Sequence, residues 1–159
     1  MKRGIVIFFL AIASILGCEK TNTIVVYKDV DPLLDSTATI TVGRVIDGDT
    51  FEFGIGSDTI GVRVLDIDAF ETRHGSHLDS QAIKAGISVD SAYALGKIAK
   101  QFADSLLTGR SVLLVREHGQ PPFDDFSRML RHVYYYEGSL THDFGALMLQ
   151  KKFAVVYTH

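Results

Sequence analysis

The 159-residue sequence predicts a single α+β, mainly β domain, and three observations carry that expectation. Five stretches between Thr39 and Tyr136 are rich in β-branched, aromatic and other apolar residues and bounded by Gly, Pro, Asp or Ser. One stretch, Ala94 to Thr108, has helical instead of strand periodicity. Finally, the segment from about Ala38 to His159 is long enough for one core and too short for two, and it contains no internal repeat.

The chain opens with the basic head Met1-Lys2-Arg3, an apolar run from Gly4 to Gly17, and Cys18. The run falls short of the about 20 apolar residues a spanning helix needs, so residues 1–17 are expected to be a signal peptide. Ile15-Leu16-Gly17-Cys18 resembles a bacterial lipobox, which makes Cys18 the expected lipidation site and the protein an exported, membrane-anchored bacterial lipoprotein facing the periplasm or the cell surface. Cys18 is the only cysteine, so no disulfide forms within one chain. Residues 18–37 are polar and read as the lipidated N-terminus and a tether, with residues 38–159 as the folded domain.

Thr39 to Ile46, Thr50 to Phe53 and Ile60 to Ile67 are expected strands, the last two joined by the turn Gly54-Ile55-Gly56-Ser57-Asp58 as an antiparallel hairpin. Alternation places Ile60, Val62 and Val64 on one face and Arg63 on the other. Arg73 to Tyr93 is rich in Ser, His, Gly and Asp without a sustained period and is expected to be a mobile surface loop. His74 and His77 lie within it, but no cysteine or further histidine cluster completes a zinc site. In the helix, Leu95, Ile98, Ala99, Phe102, Leu106 and Leu107 form the expected buried face, with Gly109 as its stop. Ser111 to Glu117 and Met129 to Tyr136 are the remaining strands, separated by a turn-rich segment containing Pro121-Pro122. A short second helix is expected from about Asp143 to Lys152, followed by a strand-like Phe153 to Tyr157. Five strands with one or two packed helices fit an OB-fold barrel.

The chemistry concentrates between Asp47 and Glu71, where Asp47, Asp49, Glu52, Asp58, Asp66, Asp68 and Glu71 face the single cation Arg63. A hairpin that gathers these carboxylates calls for a hard cation, Ca²⁺ or Mg²⁺, held by carboxylate and carbonyl oxygens. An EF-hand is excluded, because counting from Asp47 puts Glu52 where that loop needs glycine and Asp58 where it needs glutamate. The guanidinium fork of Arg63 suits a phosphate.

Through Ile46-Asp47-Gly48-Asp49-Thr50, Arg63 and Asp68-Ala69-Phe70-Glu71, the chain resembles the staphylococcal nuclease-like (thermonuclease) family. That resemblance implies one Ca²⁺, with Mg²⁺ less favoured, on Asp49, Asp68 and the carbonyl of Ala69. It also implies catalytic roles for Arg63 and Glu71, and Arg128 aligns with the family's second arginine motif. The implied activity is that of a metal-dependent phosphodiesterase, an endonuclease acting on single-stranded DNA or RNA as a monomer. Around Arg128 the sequence departs from the family: Phe126 replaces a usual tyrosine, Asp125 a common lysine and Ser127 a usual glycine. The chain is also expected to lack the family's further C-terminal helix.

The formal net charge of −3 becomes more negative once Lys2 and Arg3 leave with the signal, which excludes a broadly basic DNA-coating protein. Nucleic-acid chemistry therefore depends on a local site. The alternatives are a catalytically inactive OB-fold module that binds nucleic acid or protein, and a lipoprotein in which calcium is structural. The second leaves two arginines without a purpose.

Overall fold

A computed structural model describes residues 37–157. The signal peptide, Cys18 and residues 18–36 of the tether lie outside the described residues. Among those described, no helix is long and apolar enough to cross a membrane.

The elements run β1 (Thr37–Thr41), β2 (Arg44–Val45), β3 (Thr50–Ile55), β4 (Asp58–Val64), β5 (Ile67–Ala69), α1 (Ser76–Ala85), α2 (Val89–Leu107), β6 (Ser111–Val115), β7 (Met129–Glu137), β8 (Leu140–Asp143), α3 (Phe144–Gln150) and β9 (Ala154–Val156). This is the expected mixed, mainly β architecture, but the sheet is not a closed five-stranded barrel. Its order is β1-β6-β7-β4-β3-β2, with β8 added to β7, and β5 pairs separately with β9. The expected strand Thr39 to Ile46 breaks at Val42-Gly43 into β1, which pairs with β6, and β2, which pairs with β3, so the two end strands of the sheet are consecutive in the chain and no ladder joins them.

β3 and β4 form the expected antiparallel hairpin, in a register that sets Thr50 opposite Arg63, with its tip turned by Gly56 at φ 60. Ile60, Val62 and Val64 are buried as alternation requires. The expected strand Ile60 to Ile67 is interrupted at Leu65-Asp66, where Asp66 takes a left-handed φ of 63 and turns the chain from β4 into β5. β4 then runs parallel to β7, with Arg63 opposite Leu130.

The main core gathers Val45, Phe51, Val62, Val64, Val112, Leu114, Val133, Phe144 and Met148, with Ala99, Ala103 and Leu107 of α2 closing it. The expected mobile loop at Arg73 to Tyr93 is instead mostly helical: α1 occupies ten of its residues, and α2 begins at Val89, five residues before the expected start. Leu78 and Ala82 of α1 pack with Phe70 and Ala92 in a second, smaller core. Gly86 at φ 66 ends α1, and the Ser88 hydroxyl accepts from the Ser91 N–H to start α2. In α2 the buried face is Ala92, Gly96, Ala99, Ala103 and Leu107, whereas Ile98, expected inside, is exposed. Small residues win because the helix lies almost on backbone: a Cβ at Gly96 would meet the Glu71 carbonyl oxygen at 2.4 Å and that of Phe70 at 2.6 Å. The short helix before β9 is present as α3, capped by the Asp143 carboxylate accepting from the Ala146 N–H, and the residues just before it form β8.

Candidate active site

Three segments bring charge together: the turn entering β3, the end of β4, and β5. Gly48 makes the first approach possible, since a Cβ there would lie 2.7 Å from the Ala69 Cβ and 3.0 Å from that of Ala99. The Asp47-Gly48-Asp49 turn therefore packs directly on β5 and α2. Asp47 caps this turn by accepting from the Asp49 N–H, and so supports the loop. Asp49, 1 % exposed, accepts from the Ala69 N–H through Oδ2, and from Arg63 Nη1 and the Thr50 hydroxyl through Oδ1.

Arg63 bridges to the second carboxylate. Its Nη2 donates to Asp68 Oδ1 at 2.9 Å and to the Ile67 carbonyl at 3.3 Å. Burial alone would lower the arginine's pKa, but Asp49 and Asp68 outweigh it and hold the guanidinium firmly charged. At Asp49 the balance runs the other way. Burial raises its pKa, Arg63 lowers it, and the net result is a carboxyl well above its ordinary range. The other side of Asp68 is held by Gln81 of α1, whose Nε2 donates to Oδ2 at 2.9 Å and to the Ala69 carbonyl at 2.8 Å. These residues fit a cation in type: two carboxylates already converge on one positive charge, and the Ala69 carbonyl keeps a second lone pair. The cation they hold here is Arg63 itself.

Glu71 follows β5, half-buried, with its N–H donating to Gln81 Oε1 and its carboxylate 2.9 Å from His77 Nδ1. Arg128 enters from the opposite side, just before β7. Its stem lies against Gly61, where a Cβ would meet the Arg128 Cγ at 3.2 Å. Its Nε donates to Asp124 Oδ2 at 2.7 Å, its Nη2 stands 2.6 Å from the same oxygen, and its Nη1 donates to the Thr50 hydroxyl at 3.2 Å. Arg63, Asp49, Thr50 and Arg128 thus form one continuous network, which joins the two arginines expected to share a substrate. In the turn before Arg128, Asp124 Oδ1 accepts from the backbone N–H groups of Phe126 and Arg128. Ser127 keeps a left-handed φ of 62, the conformation a glycine would adopt freely, and Phe126 is 80 % exposed.

All the residues expected in the site are thereby placed. Asp49, Arg63, Asp68 and Ala69 touch one another, Arg128 joins through Thr50, and Glu71 adjoins through Gln81. Residues that the sequence did not place in the site also belong here: Gln81, Thr50, Asp124, His77 and Gly96. Thr50 closes the motif that begins at Ile46, while Gln81 sits in a polar stretch that gives no sign of burial. Among the described residues, the group of three acidic or histidine side chains close enough to share a metal is a different one, Asp66, Glu117 and His132. It holds the imidazole between two carboxylates, Nδ1 at 3.9 Å from Asp66 and Nε2 at 3.5 Å from Glu117, and gives Asp66 a place.

No curated protein matches the chain. The model of the family described as staphylococcal nuclease homologue matches residues 61–159, a span that includes Arg63, Asp68, Ala69, Glu71 and Arg128 and begins after Asp49. That match points to a nuclease-type or nucleic-acid-binding function, and it covers well over half of the sequence: the chain belongs to the staphylococcal nuclease homologue family.

Proposed function

We propose that this protein is a Ca²⁺-dependent nuclease that hydrolyses phosphodiester bonds of DNA or RNA, exported and anchored through a lipid on Cys18. The observation that carries the reading is the shared network of Arg63 and Arg128 through Asp49 and Thr50, which Glu71 adjoins through Gln81 and Asp68. Structural calcium sites need no such pair of arginines.

Asp49, Asp68 and the Ala69 carbonyl would hold the metal, which when bound supplies positive charge to a non-bridging phosphate oxygen. Arg63 uses three of its N–H groups on Asp49, Asp68 and Ile67, which leaves its Nε–H and one Nη1–H for a phosphate oxygen. Arg128 has its Nε and Nη2 fixed by Asp124 and turns Nη1 toward Thr50, so its fork is pre-oriented before substrate arrives. Charge-assisted hydrogen bonds from the two arginines strengthen as negative charge accumulates on the phosphorus oxygens. Glu71 orients the attacking water or accepts its proton, with its backbone held by Gln81 and Gly96. The single domain and the negative net charge favour a monomer acting through a local site on exposed, single-stranded substrate.

A second reading, an inactive OB-like module that binds nucleic acid or protein, draws on the Arg128 turn. Asp124 claims most of the arginine's fork, and the exposed aromatic beside it, Phe126, lacks a hydroxyl. The deciding experiment is hydrolysis of denatured DNA and of RNA by the purified protein with Ca²⁺ or with EDTA, alongside Glu71→Gln and Arg63→Ala. Cleavage that needs Ca²⁺ and collapses in both variants supports the nuclease. A folded protein that binds Ca²⁺ and nucleic acid without cleaving supports the binding module.

A further inference from the structure

We propose that Gln81 is a positioning residue that holds the expected metal ligands Asp68 and Ala69 and the backbone of Glu71 in one fixed arrangement, making α1 an integral part of the active site. The proposal rests on the nuclease reading for the roles of those three residues. Its physical basis stands apart from that reading.

The side chain of Gln81 is 4 % exposed, the one buried polar side chain of α1. Its amide has two N–H donors and an acceptor oxygen, and each is used. Nε2 faces Asp68 Oδ2 at 2.9 Å and the Ala69 carbonyl at 2.8 Å, while Oε1 takes the Glu71 N–H at 2.9 Å. The neighbours also fix which way the amide points. A carboxylate and a carbonyl can only accept and a backbone N–H can only donate, so a flipped amide would lose all three bonds. One rigid group therefore sets the spacing between the residues expected to hold the ion and the residue expected to act on water.

Gln81 takes only one side of each group it holds. Asp68 gives Oδ2 to Gln81 and keeps Oδ1 on the Arg63 side. Ala69 gives one lone pair and keeps the other. Glu71 is held by its backbone, so Gln81 occupies neither carboxylate oxygen, one of which faces His77 Nδ1 at 2.9 Å. Gly96 of α2 supports the same segment from its other side, since the backbone of Phe70 and Glu71 lies where a Cβ would be. The role is that of an outer hydrogen-bonding partner to metal ligands, whose loss costs about 10- to 100-fold in metal affinity or activity.

The test uses the wild-type protein and Gln81→Met, which keeps volume and removes all three bonds. Calcium affinity is measured by calorimetry, and kcat and KM on denatured DNA well below the melting temperature. The expected result is at least a tenfold loss in both calcium affinity and kcat with KM nearly unchanged, because Gln81 touches neither arginine. A variant that melts earlier yet keeps calcium affinity and kcat within about twofold of wild type would show a merely structural glutamine and overturn the proposal. A readout that needs no variant is the pair of side-chain amide protons of Gln81 in the wild-type protein by NMR. They are expected to exchange slowly and to shift on Ca²⁺ addition; fast exchange or no response overturns the proposal even if Gln81→Met fails to fold. A wild-type protein that binds Ca²⁺ and moves these protons but cleaves nothing refutes the nuclease and leaves the clamp standing. One that cleaves while Gln81→Met cleaves equally well does the reverse.

Discussion

Two clusters flank the turn between β4 and β5, and each places a basic side chain between two carboxylates. Arg63 lies partly buried between the buried carboxylates of Asp49 and Asp68, and every carboxylate oxygen there has a donor: Arg63 and Thr50 on one side of Asp49, Ala69 on the other, Arg63 and Gln81 on Asp68. His132 between Asp66 and Glu117 is half-buried, with contacts of 3.5 and 3.9 Å to partners that are more exposed, the Asp66 side chain at 56 %. Asp66 and Asp68 are two residues apart and would share a face in an unbroken strand. The left-handed Asp66 breaks that alternation and sends one outward and one inward. What separates a pair that organises a site from a pair on a surface is thus burial with full hydrogen bonding, not residue type. In the buried cluster, removing one member leaves poorly solvated charges without a partner; in the more open one, water replaces the lost partner.

The comparison breaks first at Arg63. Arg63→Ala leaves Asp49 and Asp68 facing each other and should destabilise the fold by about 3–5 kcal/mol in EDTA, seen in urea unfolding, with part of the loss recovered by saturating Ca²⁺. Stability unchanged by the substitution would mean that the buried carboxylates do not depend on the guanidinium. Next in size is Gly96→Ala. A methyl 2.4 Å from the Glu71 carbonyl forces the backbone apart, at about 1–3 kcal/mol, which exceeds the about 1 kcal/mol that alanine gains in a helix. Because the displaced backbone carries Glu71, kcat should fall with stability. The third expectation concerns pH. Burial raises the Asp49 pKa against the pull of Arg63, so between the ordinary value of 3.8 and the raised one the folded protein keeps a proton that the unfolded chain releases. Stability from this group is therefore greatest at low pH and falls as pH rises through that interval. The Asp49→Asn variant should lack this fall, and melting curves of the two proteins across pH will show whether their difference has the stated sign. Smallest is His132→Gln on the open cluster, which should alter stability by no more than about 0.5 kcal/mol and leave nuclease activity unchanged. A larger loss would make the surface triad more than solvated charge.

Much of the fold was legible where one residue type repeats with a clear period. The β3–β4 hairpin followed from its Gly-rich turn and the alternation of Ile60, Val62 and Val64, and β6 and β7 from their apolar runs. The failures share a cause. α1 has only Leu78, Ala82 and Gln81 buried among exposed polar residues, too short a stripe to stand out from a loop. In α2 the size of a side chain was mistaken for its burial: Ile98 faces solvent while Gly96 and Ala92 are inside, because close approach of a helix to backbone selects for small residues. Strand counting predicts five strands because it cannot see the breaks at Val42-Gly43 and Leu65-Asp66, which divide the first strand between β6 and β3 and set β5 apart from β4.

For the candidate site, the sequence by itself determined the chemical inventory: the Asp-Gly-Asp turn, the lone Arg63 on its strand, the acids and carbonyl of β5, and a second arginine after a turn. It also determined Gly48, the residue without which the turn could not close on Ala69. Only the tertiary structure decided the partners. Arg128 reaches Thr50 across 78 residues because β4 and β7 run parallel, and Gln81 reaches Asp68, Ala69 and Glu71 because α1 docks on Phe70 through Leu78 and Ala82. Local patterns record which groups a chain must bury or expose; which donor meets which acceptor depends on long-range packing, where a polar side chain is held inside only by the partners waiting for it.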